Sequence, residues 1–167
     1  AVAANLCLGA TGTDTGGSIR FPAASCGTVG LKPTWGRVSR YGVLPLAESM
    51  DHVGPLAKSS ADAGIMLQAI SGFDRNDPTS LSDTLRNVLD GVDRGVKGVR
   101  IGIDHHYTTR DVDGEVAEAV LHGVRLLEDQ GAEIVEVKVP EMEEFLSAWP
   151  TLCAVEAVTA HEASYPS

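Results

Sequence analysis

The chain has 167 residues, of which 43% are hydrophobic and 22% are charged. That balance is typical of one folded domain with its own core, and it excludes a disordered chain. Thirteen Lys and Arg residues against 23 Asp and Glu residues give a net charge of −10. Such a charge repels phosphate backbones and anionic lipid, which argues against binding to nucleic acid or to a membrane surface. The sequence also contains no apolar run near the roughly 20 residues that a membrane-spanning helix needs.

Three cysteines, Cys7, Cys26 and Cys153, lie far apart and form no C-x-x-C pair. An odd and dispersed set favours reduced thiols over a disulfide framework or a metal site, and it therefore predicts a cytoplasmic protein. The chain begins without Met or a basic leader, and its last residues continue a helical pattern. We therefore expect these residues to be a segment of a longer protein.

Glycine is concentrated in the first part of the chain. Eight of the 18 glycines fall in residues 1–42, which predicts tight turns and little helix there. Further on, apolar residues repeat at helical spacing, and Ser59 and Ser60 are placed to cap a helix that ends at Gly72. A second short helix is predicted over residues 83–92.

The following stretch has the pattern of an α/β protein. Residues 99–103 and 133–139 are predicted as strands, with a helix over 113–130 between them. Asp113 is expected to cap that helix and Gly131 to end it. This order is typical of a βαβ unit, and it predicts a mixed, partly parallel sheet flanked by helices.

The last predicted element is a helix over residues 141–164. We expect it to be interrupted at Pro150, because a helix interior tolerates proline poorly. No internal repeat or low-complexity tract divides the chain. Residues 1–167 are therefore predicted to be part of a single domain, with a glycine-rich loop region over 1–55 and an α/β segment over 56–167.

The string Thr15-Gly16-Gly17-Ser18 is the first candidate for chemistry. It is no phosphate loop, because a Walker A motif needs a Lys before its Ser or Thr and no G-x-G-x-x-G string occurs here. Consecutive glycines allow backbone N–H groups to face one point. A serine hydroxyl beside them suits acyl transfer, as a nucleophile next to donors for the developing oxyanion. The same four residues also fit an ordinary glycine turn, so the pattern alone leaves both interpretations open.

A longer set of strings around these residues resembles the amidase signature family. The resemblance continues more loosely over residues 74–80 and the predicted strand at 99–103. The strings that carry it are DTGGSIRFPA at 14–23, CG at 26–27, GLKPT at 30–34, GRVSRYG at 36–42 and SMDHVGP at 49–55.

This resemblance implies a fold, a reaction and a set of residues. Members of the family share a mixed sheet covered by helices, and they cleave or transfer carboxamides with a Ser–cis-Ser–Lys triad. Ser18 matches the serine that forms the acyl-enzyme. The backbone N–H groups of Thr15, Gly16, Gly17 and Ser18 would then form the oxyanion hole.

The charged residues near the nucleophile have other expected roles. Asp14 and Arg20 flank the glycine turn and are expected to pair and support it, without taking part in the chemistry. Lys32 is the only lysine nearby, but it does not match the catalytic lysine of the family, so we expect a structural contact. Asp51 and His52 form a weak candidate for a Ser-His-Asp triad, because adjacent residues usually point apart and the family uses no histidine.

In one respect the chain departs from the family pattern. The cis-serine and the catalytic lysine lie upstream of the nucleophile, and both would fall before Ala1. We therefore expect these residues to hold the nucleophile and the oxyanion hole but no general base. The resemblance implies no metal or organic cofactor, and His105-His106 has no third ligand nearby in sequence that would make a metal site.

The function that this implies is an amide hydrolase that acts on a small-molecule amide through a serine acyl-enzyme. An alternative within the family is the ammonia-supplying subunit of a tRNA-dependent glutamyl or aspartyl amidotransferase. Many such subunits carry Gln where this chain has Phe21, which favours a stand-alone amidase. An alternative of another class is a catalytically inactive binding module whose glycine turn holds a ligand. The sequence leaves open which amide is cleaved and whether the protein is a homodimer.

Overall fold

The computed structural model describes residues 1–165, and Pro166 and Ser167, which end the predicted domain, lie outside the described part. The chain divides into two compact units. The first comprises Ala1–Asp90 and the chain from Phe145 onward, and the second is Gly91–Glu144. Each unit contains helices and a sheet of its own, which confirms the predicted α/β class.

The first unit is built on a three-stranded antiparallel sheet. Its strands are β1 (Gly9–Asp14), β2 (Val29–Gly30) and β3 (His52–Ala57), and β3 lies between the other two. Neither β1 nor β3 follows from the sequence pattern, because glycine and proline are rare inside strands. In β3 both Gly54 and Pro55 are buried, and the absence of a Cβ at Gly54 leaves room for the Leu31 carbonyl oxygen and for Pro33.

Two helices pack on this sheet. Helix α1 (Arg20–Cys26) starts after Ile19, whose side chain is fully buried. Helix α2 (Ser60–Ile70) starts where it was predicted, and the hydroxyl oxygen of Ser59 accepts the N–H of Asp62 at 3.1 Å. The predicted α2 and its cap are confirmed, whereas α1 lies in a stretch where tight turns and little helix were expected.

The helix predicted over residues 83–92 is wrong, because this described stretch contains no α-helix. Side-chain amide oxygens accept hydrogen bonds from backbone N–H groups of this stretch instead. The Gln68 side-chain oxygen accepts the N–H of Val88 at 3.1 Å, and the Asn87 side-chain oxygen accepts the N–H of Leu89 at 3.1 Å. Hydrogen bonds from side chains to the backbone compete with those of a helix, and apolar spacing alone does not reveal them.

The second unit contains the predicted βαβ arrangement. After a 3-10 turn at Val92–Arg94, strands β4 (Arg100–Ile103) and β5 (Glu133–Glu136) pair in parallel. Helices α3 (His105–Thr109) and α4 (Gly114–Asp129) connect them. The partly parallel pairing and the long connecting helix are therefore confirmed.

Two aspartates cap the N-terminal ends of the connecting helices. Asp113 caps α4 by accepting the N–H of Glu115 at 2.9 Å, and Gly131, with φ of 95°, follows the last turn of α4, as predicted. Asp104 caps the unpredicted α3 and also accepts the N–H of Val139 at 2.8 Å. Because that donor is bound to a side chain, β5 is shorter than the predicted strand.

Helix α5 (Glu143–His161) runs through Pro150 without a break, so the predicted interruption is wrong. A contact outside the helix anchors the part beyond the proline. The Glu156 carboxylate accepts the backbone N–H of Ser49 at 2.9 Å and its hydroxyl at 2.5 Å. Such anchoring offsets the backbone hydrogen bond that proline removes. Among the helices of residues 1–165, none is both long and apolar enough to cross a membrane.

We predict opposite effects for alanine at two glycines. A Cβ at Gly54 would lie 2.2 Å from the carbonyl oxygen of Leu31, so Gly54→Ala should lower the free energy of unfolding by roughly 1–3 kcal/mol. At Gly123 in α4, a Cβ would meet no described heavy atom within 4 Å, so Gly123→Ala should raise it by about 0.5–1 kcal/mol. Urea unfolding measures both values, and a loss of stability in Gly123→Ala would contradict the packing around α4.

Candidate active site

Ser18 lies in the tight turn that joins β1 to α1. The strand ends at Asp14 and the helix begins at Arg20, so only five residues connect them. Gly17 adopts φ of 149°, which side-chain-bearing residues rarely adopt, and its carbonyl oxygen accepts the N–H of Phe21 at 2.7 Å. The serine side chain is exposed while the next one, Ile19, is fully buried.

The backbone donors of the turn are free within the described chain. The N–H groups of Gly16, Gly17 and Ser18 have no hydrogen-bond partner among residues 1–165. Gly16 and Ser18 are exposed and Gly17 is half-buried, so this segment lies at the surface of the described chain. Free N–H groups beside a serine hydroxyl are the arrangement that stabilises a developing oxyanion.

The Asp14 carboxylate joins the two ends of this turn by hydrogen bonds. Its side chain is fully buried, and it accepts the N–H of Ile19 at 3.2 Å and two guanidinium N–H groups of Arg20 at 3.0 and 3.1 Å. The Lys32 ammonium lies 3.1 Å from the same carboxylate. One buried anion thereby joins the end of β1, the start of α1 and the segment after β2.

These contacts decide the charge state of Asp14. Burial alone would raise its pKa, but hydrogen bonds from Arg20, from Lys32 and from the backbone N–H groups of Ile19 and Arg20 outweigh burial and hold the pKa far below its usual range. The same pairing raises the pKa of Arg20. The carboxylate is therefore ionised wherever the protein is folded near neutral pH. Lys32 makes the structural contact expected of it.

Thr15 is held by a second carboxylate, one that sequence reasoning did not assign to the site. The Thr15 hydroxyl donates to Asp51 Oδ1 at 2.5 Å, and both residues are buried. Asp51 Oδ2 accepts the N–H groups of Leu46 and Ala47 at 2.8 and 3.1 Å. The antiparallel pairing of Asp14 with His52 places Asp51 next to Thr15, a proximity that no spacing in the sequence indicates.

A Ser-His-Asp triad is not formed. The Asp51 carboxylate binds Thr15 and two backbone N–H groups, as described above, and His52 Nδ1 lies 2.7 Å from the carbonyl oxygen of Met50. Burial lowers the pKa of His52, so the ring is neutral near pH 7. His52 therefore donates from Nδ1 to a main-chain carbonyl.

Helix α5 also contacts the turn. A Cβ at Gly16 would lie 2.5 Å from Cζ2 of Trp149, so the indole packs directly on the Gly16 backbone. His161 Nε2 lies 2.9 Å from the carbonyl oxygen of Pro45, next to the segment that Asp51 holds. The indole supplies an apolar surface beside the serine turn, and only the folded chain shows it.

No metal site accompanies this turn. Within residues 1–165, no group of three or more His, Cys, Asp or Glu side chains is arranged to hold a metal ion. His105 and His106 lie in α3 and are exposed. The three cysteines are free thiols.

Comparisons with known proteins give one consistent family. A protein-family model described as Amidase matches residues 1–165. Over 157 residues the chain is 47% identical to a glutamyl-tRNA(Gln) amidotransferase subunit of Maricaulis maris, and the alignment covers 94% of this chain and 32% of that protein. The chain therefore spans about a third of the length of the curated relatives it matches.

Solved structures give the same result. A glutamyl-tRNA(Gln) amidotransferase subunit of Thermotoga maritima has a TM-score of 0.88 at 35% identity, with 98% of this chain and 36% of that chain covered. The peptide amidase of Stenotrophomonas maltophilia has a TM-score of 0.80 at 39% identity, with 97% and 34% covered. These similarities extend over nearly all of the chain.

Removal of the Asp14 charge should destabilise the protein in a pH-dependent way. Asp14→Asn breaks the pairs with Arg20 and Lys32, and we expect a loss of roughly 2 kcal/mol at pH 7, less than for a fully buried pair because both cations keep contact with solvent. Because the folded pKa of Asp14 is depressed, its contribution is complete above the unfolded pKa of about 4 and is lost as pH falls below it.

The matched control is Asp83→Asn, since Asp83 also pairs with an arginine, Arg37, but its side chain is 68% exposed. Its loss of stability should be much smaller. Urea unfolding from pH 7 down to pH 3 measures both variants. A constant gap between wild type and Asp14→Asn over that range would contradict the assignment.

Proposed function

This chain belongs to the amidase signature family, and we propose that it supplies the nucleophile and the oxyanion hole of an enzyme that cleaves carboxamides through a serine acyl-enzyme. The observation that carries the proposal is the exposed Ser18 hydroxyl beside the free N–H groups of Gly16, Gly17 and Ser18. The family match over residues 1–165 supports it. The substrate in this proposal is a small-molecule amide, and no metal or organic cofactor takes part.

In the first step, Ser18 Oγ attacks the carbonyl carbon of the amide and loses its proton to a general base. The carbonyl oxygen becomes an oxyanion and receives hydrogen bonds from the N–H groups of Thr15, Gly16, Gly17 and Ser18. One such donor typically lowers a barrier of this kind by about 3 kcal/mol. The C–N bond then breaks, the amine leaves with a proton, and water hydrolyses the ester to restore Ser18.

The general base in this proposal lies outside these residues. Lys32 is unsuited to the role, because its ammonium is bound to the Asp14 carboxylate and to the Thr15 carbonyl oxygen. The family resemblance implies a lysine and a cis-serine upstream of the turn. Because the chain spans about a third of its relatives, we propose that a longer protein supplies both.

The organisation of the protein is part of the same proposal. We propose that the chain is part of a single amidase signature domain, with residues 1–55 as the nucleophile-loop region and residues 56–167 as the α/β segment. Three free thiols support a reducing, cytoplasmic location. Asp14 and Arg20 act in this proposal as supports of the turn.

A second candidate is the ammonia-supplying subunit of a tRNA-dependent amidotransferase. The relatives that favour it are 44–47% identical to this chain and are named as glutamyl-tRNA(Gln) amidotransferase subunits. In this alternative the acyl-enzyme step at Ser18 releases ammonia for transfer within a complex. Phe21, where many such subunits carry Gln, favours the stand-alone hydrolase.

Covalent labelling of Ser18 tests the proposed chemistry. We expect a fluorophosphonate to add one adduct to the full-length protein, because an activated serine attacks phosphorus as it attacks a carbonyl carbon. Intact mass before and after incubation measures the adduct. Ser18→Ala should abolish it, while the nearby exposed serine variant Ser25→Ala should keep it. A full-length protein that forms no adduct would contradict the hydrolase and favour an inactive binding module.

Ammonia release separates the two candidates within the family. A stand-alone amidase should purify alone and cleave simple carboxamides without a partner. An amidotransferase component should co-purify with its partner proteins from the native host and release ammonia from glutamine. Coupled detection of ammonia with glutamine as substrate measures this, and strong glutamine-dependent release by a multi-protein complex would overturn the stand-alone hydrolase.

A further inference from the structure

We propose that Asp51 is a positioning residue for the oxyanion turn, which it holds through the Thr15 hydroxyl; this inference rests on the proposed function. Two carboxylates tether the turn in the described structure. Asp14 holds its far side, where α1 begins, and Asp51 holds its near side, where β1 has just ended. The two glycines lie between these tethers.

The contacts of Asp51 are those of a fixed support. Asp51 is 6% exposed and Thr15 is 8% exposed. One carboxylate oxygen accepts the Thr15 hydroxyl, and the other accepts the N–H groups of Leu46 and Ala47. With three donors on two oxygens the carboxylate cannot rotate without leaving a buried donor unpaired, and that carries a penalty. The threonine side chain is therefore held in one orientation.

Such a tether matters because glycine is flexible. Without a Cβ, Gly16 and Gly17 reach many backbone conformations, and their N–H groups stabilise an oxyanion only if they are oriented before the reaction. Fixing Thr15 at one end and Ile19 at the other leaves the peptide units between them few alternatives. Asp51 thus acts on the reaction through the backbone and not by contact with substrate.

The support of Asp51 is itself anchored. The segment that supplies its backbone donors is held to α5, where Glu156 binds Ser49 and His161 meets the Pro45 carbonyl. In the same helix, Trp149 packs on Gly16 of the turn. The turn, the segment around Ala47 and α5 therefore form a closed ring of contacts within one compact unit.

The test compares variants of Thr15 by their reaction with a fluorophosphonate. Thr15→Val keeps the shape but removes the hydroxyl, and we expect the maximal acylation rate to fall about 10- to 100-fold, because misplacement of reacting groups by about 1 Å costs up to ~100-fold. The concentration for half-maximal rate should stay unchanged, since no contact with the probe is lost. Thr15→Ser restores the hydroxyl and should restore most of the rate.

Asp51→Asn completes a double-mutant cycle with Thr15→Val. An asparagine replaces one of the two acceptor oxygens with an NH2 group, so it cannot accept from Thr15 and from the N–H groups of Leu46 and Ala47 together, and the single variant should lose rate as Thr15→Val does. The double variant should be no slower than the slower single variant, because both changes break the same contact. Rate losses that multiply would show that the two residues act independently and would overturn the proposal.

Ser39→Ala is the matched control. Ser39 also donates its hydroxyl to a carboxylate, that of Asp74, at 2.7 Å, but it lies outside the turn. We expect this variant to lower the melting temperature and to leave the acylation rate unchanged. Should Thr15→Val fail to fold, Thr15→Ala with the same serine rescue replaces it.

The possible failures are distinguishable. A wild-type protein that is not acylated at Ser18 means that the proposed function fails, and the positioning role falls with it. A wild type that is acylated, together with a folded Thr15→Val that reacts at the same rate, overturns the positioning role alone. A rate loss in Thr15→Val that serine does not rescue also overturns it, because the loss then follows the side-chain shape and not the hydroxyl.

Discussion

The buried carboxylate of Asp14 is the constraint on which the candidate site depends. It lies at the last position of β1 and bonds to the first residues after the turn, so strand and helix are tied across five residues. Burial of an anion is unfavourable unless it is paired and hydrogen-bonded. Here Arg20, Lys32 and two backbone N–H groups meet that requirement, and the turn cannot open without breaking them together.

The turn therefore exposes polar groups and packs on the buried apolar side chain of Ile19. Ile19 is fully buried under the turn while Ser18, its neighbour, faces outward. The serine is therefore placed by packing and by charge, and its hydroxyl is left free for chemistry. Trp149 packs on Gly16 and Asp51 holds Thr15, so a nucleophile that belongs to a flexible glycine sequence is held in a rigid setting.

Local sequence patterns predicted part of this architecture. The caps at Ser59 and Asp113 and the parallel pairing in the second unit follow from short-range signals, since a cap and its helix are adjacent in the chain. The strands β1 and β3 escaped prediction because glycine and proline hide a strand pattern. The continuous α5 escaped it because a contact with Ser49, more than a hundred residues away in sequence, compensates for Pro150. For the site, the motif indicated Ser18, whereas the Asp51 contact joins positions 36 residues apart.

The decisive experiment is a crystal structure of the full-length protein with a covalent phosphonate on Ser18. We expect phosphorus bonded to Ser18 Oγ and the phosphoryl oxygen within about 3 Å of at least two N–H groups of the glycine turn. The Asp14 and Asp51 contacts should be unchanged by the adduct. A phosphoryl oxygen turned toward solvent, or an adduct on another serine, would show that Ser18 and the glycine turn do not act together as nucleophile and oxyanion hole.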